Sequence, residues 1–347
     1  MKLRPKTKVT IVITNMNGEK WIRNLIDSIY KSSYNLDDIE IILVDNNSKD
    51  NSVNIFKSIM RPDKGDKIIM NTQNTGWSHA VNQGILASSG DIIIVLSNDM
   101  EIDNKAIEVI VNIMNNNSEI GILQLNSKSL YDRKTLDSGM NFLDRFGYSY
   151  SYEPTQDTFL IVFFAEGMAF AIRKDIISKV GLLDDFYFME YDDMDFSWRT
   201  LLFGYKVAFI PKAIVYHARG GTVGNTYYNR NLLNITLYSR NHIITLIKNY
   251  ELRTLIYVLP ITISIETIKI IFFIFKGNIK IAIANFKGIF SVFLSMKETL
   301  RKRALIQKNR KINDKEIIKL MHPFSISTQI AFINRQSSGQ RYFLKYK

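Results

Sequence analysis

The sequence predicts an α/β protein with a mostly parallel central sheet flanked by helices. Four short runs rich in Ile and Val indicate strands at residues 8–14, 40–44, 67–70 and 91–96. Helical patterns lie between them, over residues 21–29, from about residue 50, and over residues 80–87. This β-α-β-α-β-α-β alternation is typical of a doubly wound parallel sheet with right-handed crossovers.

The fourth strand lies in the stretch G-D-I-I-I-V-L-S-N-D-M-E-I-D, from Gly90 to Asp103. Its apolar run over residues 92–96 is unbroken, as expected of a strand covered on both faces. Asp99 and Glu101 follow at once, and carboxylates at a sheet edge are costly unless a cation neutralises them. The same residues also suit an acidic turn in which Asp103 caps a helix, so this stretch leaves both interpretations open.

Polar residues follow every strand of this half, at the edge where open α/β sheets bind their ligands. They are Thr14, Asn17, Asp45, Asn47, Asn74, Asn98 and Asp99. Each one alone suits an ordinary turn, but a polar set at each strand end on one rim predicts a binding site. The motifs G-x-G-x-x-G after the first strand and G-x-x-x-x-G-K-[ST] are absent, which argues against a classical dinucleotide fold and a P-loop NTPase.

A second acidic cluster lies in F-Y-F-M-E-Y-D-D-M-D-F-S-W-R, residues 186–199, where Asp192, Asp193 and Asp195 begin a predicted helix. Acids in a first helical turn complement the helix dipole, so part of the cluster suits capping. A carboxylate in partly apolar surroundings also has its pKa raised toward that of a general base. A calcium loop is disfavoured because the EF-hand spacing is missing. Before this cluster the sequence predicts a meander over residues 121–152, a strand near 123–125 and a helix over 174–180.

His217 ends an apolar run, after predicted strands over residues 206–210 and 214–217. A lone histidine is usually structural. A ligand role gains support because Asp99 already offers a carboxylate that needs a partner. The sequence leaves both roles open.

Composition restricts the classes of function. The net charge is +12, but six acids fall within residues 184–195 and seven Lys and Arg within residues 297–311, which predicts a local basic face and no nucleic-acid partner. The chain has no cysteine, so disulfides and thiolate chemistry are excluded. The apolar run at residues 9–13 is too short for a signal-peptide core, and we expect a cytoplasmic protein.

The last third predicts long helices rich in Ile, Phe and Lys, from residue 227 onward. Residues 252–275 are strongly apolar, but Glu266 and Lys269 stand too near their centre for a clean spanning helix. Residues 279–294 are amphipathic, and the basic run follows. The pattern favours a helical region that lies on an anionic membrane surface and is released by high salt. The alternative is that these helices pack against the preceding α/β part of the chain or against a second copy of the chain.

Six segments together resemble the inverting family 2 glycosyltransferases of the GT-A fold, in particular the rhamnosyltransferase-like branch. The segments are V-T-I-V-I-T-N-M-N-G, I-I-L-V-D-N-N-S-K-D-N-S, N-T-G-W-S-H-A-V-N-Q-G-I, G-D-I-I-I-V-L-S-N-D, M-E-Y-D-D-M-D-F-S-W-R with G-Y-K-V, and Y-H-A-R-G-G. The resemblance covers residues 8–225. It implies a catalytic domain over residues 1–225, with a nucleotide-sugar half to residue 103 and an acceptor half after it, followed by a helical region over residues 226–347.

The resemblance implies roles for individual residues. Thr14, Asn17, Asp45 and Asn74 would line the nucleoside pocket, with Asn47 and Asn98 beside them. Ser97-Asn98-Asp99 stands where the family has its D-x-D metal motif, so Asp99 would bind Mg²⁺ or Mn²⁺ with His217, and Ser97 in place of the first aspartate would weaken metal dependence. Asp192 and Asp193 match the acidic pair that carries the catalytic base, and Asp192 is preferred. On the acceptor side we expect Glu166, Asp195, Trp198 and Arg219, although Arg219 also suits a solvated loop.

The implied reaction is transfer of one hexosyl or deoxyhexosyl unit, with inversion, from a UDP- or dTDP-linked sugar to a glycan or lipid-linked acceptor at the cytoplasmic face of the membrane. Such a reaction belongs to cell-surface polysaccharide synthesis. The Q-x-x-R-W motif of processive synthases is absent. Two alternatives stay open: a GT-A-like scaffold or membrane-surface module that has lost catalysis, and a nucleotidyltransferase that releases pyrophosphate. Association with a second copy is also open.

Overall fold

A computed structural model describes residues 7–154, 156–219, 231–325 and 344–345. The boundary expected at residues 225 and 226, the start of the helical pattern at residue 227 and the glycine pair after Arg219 lie outside the described residues. The division into two domains therefore stays a prediction.

The first half of the main sheet contains four parallel strands, as predicted. They are β1 (Val9–Asn15), β2 (Ile39–Asp45), β3 (Lys67–Met70) and β4 (Ile92–Ser97). Their spatial order is β3-β2-β1-β4, and each neighbouring pair is parallel. The intervening helices are α1 (Ile22–Tyr30), α2 (Ser52–Lys57) and α3 (Trp77–Ala87). Because all four strands point the same way, their carboxyl ends meet at one edge.

The second half makes the sheet mixed. Its strands are β5 (Met100–Ile102), β6 (Ile120–Ser129), β7 (Leu136–Ser138), β10 (Leu160–Val162), β11 (Ala169–Arg173) and β12 (Lys206–His217). Strands β8 (Met140–Leu143) and β9 (Ser149–Glu153) are antiparallel to each other and belong to a separate small sheet. Strand β11 lies between β4 and β6 and is antiparallel to both. The two strands predicted over residues 206–217 are one strand, whose register against β6 shifts between Ile210 and Ile214. Pro211 in this interval has no N–H to donate, which explains the irregularity.

Helices cover both faces of the sheet, so the core has two layers. Apolar side chains of α1, α2 and α4 (Ala106–Asn116) pack on one face, and those of α3 and α6 (Asp192–Leu202) pack on the other. The helix predicted over residues 174–180 is a 3₁₀ turn, Lys174–Ile176, followed by the single turn α5 (Ile177–Val180). Further 3₁₀ turns are Leu36–Asp38, Pro62–Lys64 and Asp185–Tyr187.

The C-terminal region is helical, as expected. Its helices are α7 (Leu232–Asn249), α8 (Leu252–Phe275), α9 (Ile279–Leu294), α10 (Met296–Asn309) and α11 (Asp314–Lys319). Helix α7 is tied to α6 by Asp195, which accepts from Lys248 Nζ at 2.9 Å and from Asn249 Nδ2 at 2.9 Å. A short strand β13 (Leu344–Lys345) pairs with β9 in parallel.

The basic run at residues 297–311 differs from its expected role as an exposed basic face. Arg303 donates to the carbonyl oxygens of Ile247 and Tyr250, at the end of α7. Lys302 Nζ lies 2.5 Å from Asp184 Oδ1, and Arg310 pairs with Asp314 at 2.7 Å. These cations complement the C-terminal end of α7 and nearby acids, because unpaired helix carbonyls attract positive charge. Lys302, Arg303 and Arg310 are therefore directed inward, whereas the other four cations of the run, Lys297, Arg301, Lys308 and Lys311, are exposed.

Candidate active site

The carboxyl edge of the parallel strands carries a hydrogen-bonded cluster that we call the strand-end network. It comprises Asn15, Asp45, Ser48, Ser52 and Asn98. Asn15 Nδ2 donates to Asp45 Oδ1 at 2.7 Å and to the hydroxyls of Ser48 and Ser52, and Asn15 Oδ1 accepts from Asn98 Nδ2 at 2.8 Å. One amide side chain, 1% exposed, thus joins the ends of β1, β2 and β4.

Sequence reasoning named Thr14 and Asn17 but missed Asn15 between them. Thr14 is half-buried on β1, and Asn17 has a positive φ of 54°. The available signal was the parallel register, in which Asn15 faces Asp45 directly. A terminal asparagine beside a buried aspartate is a natural donor to that carboxylate.

Asp45 is held as an acceptor inside the network. It is 2% exposed and receives the amide of Ser48 at 3.0 Å and the hydroxyl of Ser48 at 2.5 Å. Gly18 lies against the network so closely that a Cβ there would come within 2.3 Å of the side chains of Asn15 and Asn98. The close approach requires glycine at this position.

The remaining residues expected around the nucleotide line the rim above the network. Asn17 Oδ1 accepts from the amide of Lys49 at 2.8 Å, and Asn47 Oδ1 accepts from Lys49 Nζ at 2.7 Å. Asn74 is exposed, and its Nδ2 lies 3.4 Å from Met16 Sδ. The structure therefore brings the three strand-end loops together as predicted from the sequence.

His217 and Asp99 meet at the far end of this edge. His217 pairs with Met100 across the β5–β12 ladder, and its Nε2 lies 3.2 Å from Asp99 Oδ2. On the other side of the ring, Nδ1 lies 2.9 Å from Asp137 Oδ2. We call Asp99, Asp137 and His217 the histidine cluster. Burial lowers the pKa of His217, but the hydrogen bonds with Asp137 and Asp99 outweigh this effect and raise the pKa to about 9.

The histidine cluster fits a divalent cation. Two donor atoms 3.2 Å apart can share one ion with bonds of about 2.1 Å, and a ligating histidine commonly presents its other nitrogen to a carboxylate, as His217 does to Asp137. Among the described residues no group of three or more His, Cys, Asp or Glu is arranged as a complete metal site. Asp99 and His217 would therefore need ligand atoms from a bound phosphate or water.

Asp137 was missed by sequence reasoning, and it explains the position of Arg219. Arg219 Nε donates to Asp137 Oδ1, and its Nη2 donates to the Asp137 carbonyl at 3.2 Å. Asp137 also accepts from Ser127 Oγ at 3.0 Å. Arg219 is thus neither a solvated loop arginine nor aimed at an acceptor; it supports the carboxylate behind His217.

The acidic pair lies in the first turn of α6. Ser78 Oγ donates to Asp192 Oδ2 at 2.7 Å, and the amide of Gly167 donates to Asp193 Oδ2 at 2.8 Å. Burial raises the pKa of Asp192 to about 6, partly offset by the Ser78 hydrogen bond. Burial and the charge of Asp192 raise the pKa of Asp193 well above its usual range. No cation is bonded to either carboxylate among the hydrogen bonds and ion pairs of the described residues.

The two carboxylates differ in accessibility. Asp192 is 3% exposed, whereas Asp193 is half-buried. Only a carboxylate that a bound molecule can reach can take a proton from it. Asp193 is therefore the more accessible of the two candidates for the base, whereas the sequence preference was for Asp192.

We call residues 186–193 the acidic loop; this segment leads into the acidic pair and includes it. Its backbone is strained. Phe188, Glu190 and Tyr191 have positive φ values of 64°, 66° and 67°. Such conformations cost free energy in residues with a Cβ and persist only where the surroundings impose them. Helix α7 imposes them here: Asn241 Nδ2 donates to the carbonyls of Tyr187, Met189 and Glu190, at 3.1, 2.8 and 2.8 Å.

Residues 166–168 connect the acidic pair to the strand-end network and the histidine cluster. The amide of Gly167 binds Asp193, and the carbonyl of Met168 accepts from the amide of Ser97 at 3.0 Å. Glu166 accepts from Ser138 Oγ, beside Asp137. Glu166 therefore lies between the acidic pair and the histidine cluster, and its role on the acceptor side stays a prediction.

Asp195 and Trp198 require a correction. Both are fully buried. Asp195 binds Arg199 and Lys248, and the ring of Trp198 packs edge-on against Phe163 and Tyr250. Neither side chain can touch an acceptor, so their expected place on the acceptor side is wrong.

Comparison with known proteins identifies relatives for much of the chain. Residues 10–181 match the family described as Glycosyl transferase family 2, so the match ends before the acidic pair. The probable glycosyltransferase YdaM of Bacillus subtilis is 26% identical over 212 residues, 60% of this chain and 50% of that protein. The poly-beta-1,6-N-acetyl-D-glucosamine synthase of Staphylococcus epidermidis is 20% identical over 222 residues, 64% of this chain and 52% of that protein. The chain spans about half the length of these two curated relatives.

Two solved structures show the same fold. GalNAc-T7 with UDP, GalNAc and Mn²⁺ has a TM-score of 0.58 at 18% identity, over 68% of this chain and 48% of that chain. The mannosyltransferase PcManGT of Pyrobaculum calidifontis, in complex with GDP-Man and Mn²⁺, has a TM-score of 0.53 at 14% identity, over 88% and 87%. At these identities the likeness concerns the fold alone, which is that of the GT-A glycosyltransferases.

Proposed function

Residues 10–181 carry a glycosyl transferase family 2 domain, and from this premise we propose that the protein moves one sugar, with inversion, from a nucleotide-diphosphate sugar to an acceptor hydroxyl. The observation that carries the proposal is the connection that residues 166–168 make between Asp193 and the end of strand β4. It holds Asp193, a half-buried carboxylate that accepts from the amide of Gly167 and has no cation partner among the described residues, beside the ends of the strands that form a ligand edge. A binding module has no use for such a carboxylate, whereas a base needs one.

The nucleotide would occupy the rim above the strand-end network. Asp45 is fixed by Asn15 and Ser48, so it offers a rigid acceptor for a base or ribose. Thr14, Asn17, Asn47, Asn74 and Asn98 surround it as neutral donors and acceptors. A rim of this kind would select its nucleotide by hydrogen bonding, and its neutral side chains would not repel the diphosphate. The two solved structures of the same fold contain UDP and GDP-Man, which supports a nucleotide-linked donor.

Asp193 would act as the general base. It takes the proton from the acceptor hydroxyl while that oxygen forms a bond to the anomeric carbon, and the bond from that carbon to the diphosphate oxygen breaks on the opposite face. The electron pair leaves with the nucleoside diphosphate, and the configuration inverts. Asp192, held by Ser78, keeps a second carboxyl beside Asp193 and raises its pKa, which makes Asp193 a stronger base.

Asp99 and His217 would hold Mg²⁺ or Mn²⁺, with Asp137 and Arg219 fixing the histidine ring from behind. A bound divalent cation would supply positive charge for the departing diphosphate. Ser97 in place of an acid leaves the protein with two donors for this ion, so we expect weaker metal affinity than an intact D-x-D motif would give.

The acceptor is proposed to be a glycan or lipid-linked hydroxyl in cell-surface polysaccharide synthesis, at the cytoplasmic face of the membrane. The relatives include poly-beta-1,6-N-acetyl-D-glucosamine synthases, which supports a role in polysaccharide synthesis. The rhamnosyltransferase-like branch and transfer of a single sugar remain part of the proposal, the latter because Q-x-x-R-W is absent.

The test is turnover of a panel of UDP-, dTDP- and GDP-sugars, with Mg²⁺, Mn²⁺ or EDTA and a bacterial lipid extract as acceptor source. We expect release of a nucleoside diphosphate, weakened by EDTA and lost in Asp193→Asn. Release of pyrophosphate would instead show a nucleotidyltransferase. Binding of a donor without release under every condition would show a scaffold that has lost catalysis, and either result overturns the proposal.

A further inference from the structure

Helix α8 buries several of its polar residues and exposes many of its large apolar residues. Glu266 and Thr262 are fully buried, and Thr254 is nearly so. Helix α9 repeats this arrangement, with Asn285 fully buried. The outward positions of the two helices are apolar and more than one-third exposed: Leu252, Ile256, Tyr257, Ile261, Ile263, Ile268, Ile271, Phe272, Ile274, Phe275, Ile279, Ile283, Phe286, Phe290, Phe293 and Leu294. We call this set the apolar surface; a patch of this extent marks an interaction site.

Specific polar contacts fix this orientation. Glu266 Oε1 accepts from Tyr148 Oη at 2.9 Å, and Lys269 Nζ lies against Glu266 Oε2. Asn285 Oδ1 accepts from Ser239 Oγ of α7 at 2.8 Å. Rotating either helix to hide its apolar side would break these buried hydrogen bonds, which is costly. The apolar surface is therefore a built feature of the fold.

We propose that the apolar surface inserts into one leaflet of an anionic lipid bilayer. The charge on the two helices favours lipid as the occupant. Glu266 is the only acid in either helix, and it is buried, whereas Arg253, Lys276, Lys280 and Lys287 are exposed cations. Apolar side chains with Lys and Arg beside them match an interface of acyl chains and anionic headgroups. A second copy of the chain on the same surface would bring these cations toward each other.

The contacts of the inner face of helix α8 distinguish insertion into one leaflet from a helix that spans the bilayer. Leu252–Phe275 has the length and hydropathy of a membrane span, and Ile279–Leu294 with Met296–Asn309 would pass as a bent pair at 67°. A helix of 24 residues is about 36 Å long, enough to cross a bilayer. However, α8 is anchored to the catalytic domain at mid-length through Glu266 and Tyr148. Lipid can reach only its outer side, so the helix lies in the plane of the interface.

This inference changes the salt dependence expected from the sequence. Because Lys302, Arg303 and Arg310 are directed inward, binding relies on apolar contact more than on the basic run. High salt should weaken binding to anionic vesicles without abolishing it, since screening acts on exposed charges and not on buried apolar area.

The experiment is flotation of the full chain with phosphatidylcholine vesicles, with and without phosphatidylglycerol, at low and high salt. The test variant is Phe286→Glu with Phe293→Glu, which should lower the bound fraction by about tenfold or more. The matched control is Leu86→Glu with Tyr131→Glu, because both residues are exposed and lie outside the two helices. The control should float like the wild type, and the thermal midpoints of both variants should match it.

Wild-type protein that stays unbound to every vesicle would overturn the proposal, as would a control that loses binding equally. Dimerisation in solution that Phe286→Glu with Phe293→Glu abolishes, without vesicle binding, would show that a second copy covers the surface. The depth of insertion is measured by the tryptophan fluorescence of Phe290→Trp, which lipids brominated near or far from the headgroup quench. Stronger quenching by the shallow bromine supports insertion into one leaflet, and stronger quenching by the deep bromine contradicts it. None of these readouts needs turnover, so their failure is separate from failure of the proposed transfer reaction.

Discussion

The strand-end network and the acidic loop are neighbours that are held in different ways. In the network, Asn15 and Asp45 satisfy each other and two nearby serines within a parallel ladder. In the acidic loop, three residues have positive φ values, and Asn241 of helix α7 donates to the carbonyls of Tyr187, Met189 and Glu190. The network holds one carboxylate, Asp45, in three neutral hydrogen bonds, whereas the loop places two carboxylates, Asp192 and Asp193, side by side. The difference indicates that binding and chemistry are separable in this protein.

The largest expected effect tests the chemical side of this comparison. Asp193→Asn removes the base and should lower kcat by about 10²–10⁴-fold, because a positioned base contributes that much to proton transfer. The control is Asp63→Asn, an exposed acid on the 3₁₀ turn Pro62–Lys64. Turnover of the preferred donor by both variants is the measurement. Equal activity of Asp193→Asn and Asp63→Asn would remove Asp193 from the mechanism.

The histidine cluster offers the next largest effect. Asp137→Asn withdraws the carboxylate behind His217 and should weaken Mn²⁺ binding by about 10–100-fold, as loss of an outer-shell partner commonly does. Electron paramagnetic resonance of free Mn²⁺ measures this affinity without turnover. Unchanged affinity in Asp137→Asn, with affinity lost in Asp99→Asn, would show that Asp137 only supports Arg219.

Asn241 tests how the loop is positioned. Asn241→Ala removes three hydrogen bonds to carbonyls of the acidic loop, and we expect kcat to fall by about tenfold or more, since each such bond is worth about 1 kcal/mol. Donor affinity should not change, because the strand-end network is untouched. Thr236→Ala on the same helix is the control. A loss of donor affinity equal to the loss of kcat would contradict separate positioning of the loop.

Much of the fold follows from local sequence pattern, and much of the site does not. The first four strands are predicted because each contains a short apolar run, buried in β1, β2 and β4 and partly exposed in β3, and the strand-end polar set follows from them. Asp137 and Asn241 escape prediction because each acts on a partner far along the chain: Asp137 lies 80 residues from His217, and Asn241 lies 52 residues from Met189. Asp195 and Trp198 were assigned wrongly because the resemblance of their segment to a family motif does not reveal that both side chains are buried.

The smallest effect is on pH. The pKa of Asp192 is raised to about 6 and that of Asp193 is raised well above its usual range, chiefly by burial, so the pair binds a proton at higher pH than ordinary aspartates. Activity should therefore fall as pH decreases below neutrality, by about tenfold per unit once the limb is reached. Asp192→Asn removes the neighbouring charge and should move this limb to lower pH. An unchanged limb in Asp192→Asn would show that another group controls it.

The most direct test of separable binding and chemistry is calorimetric titration of the preferred nucleoside diphosphate into Asp193→Asn and Asn15→Ala, beside turnover of both. We predict that Asp193→Asn binds the nucleotide like the wild type and does not turn over. Asn15→Ala should bind it at least about tenfold more weakly, because Asp45 loses a buried partner. Loss of nucleotide binding in Asp193→Asn, or full affinity in Asn15→Ala, would contradict the assignment of binding to the strand ends and chemistry to the acidic loop.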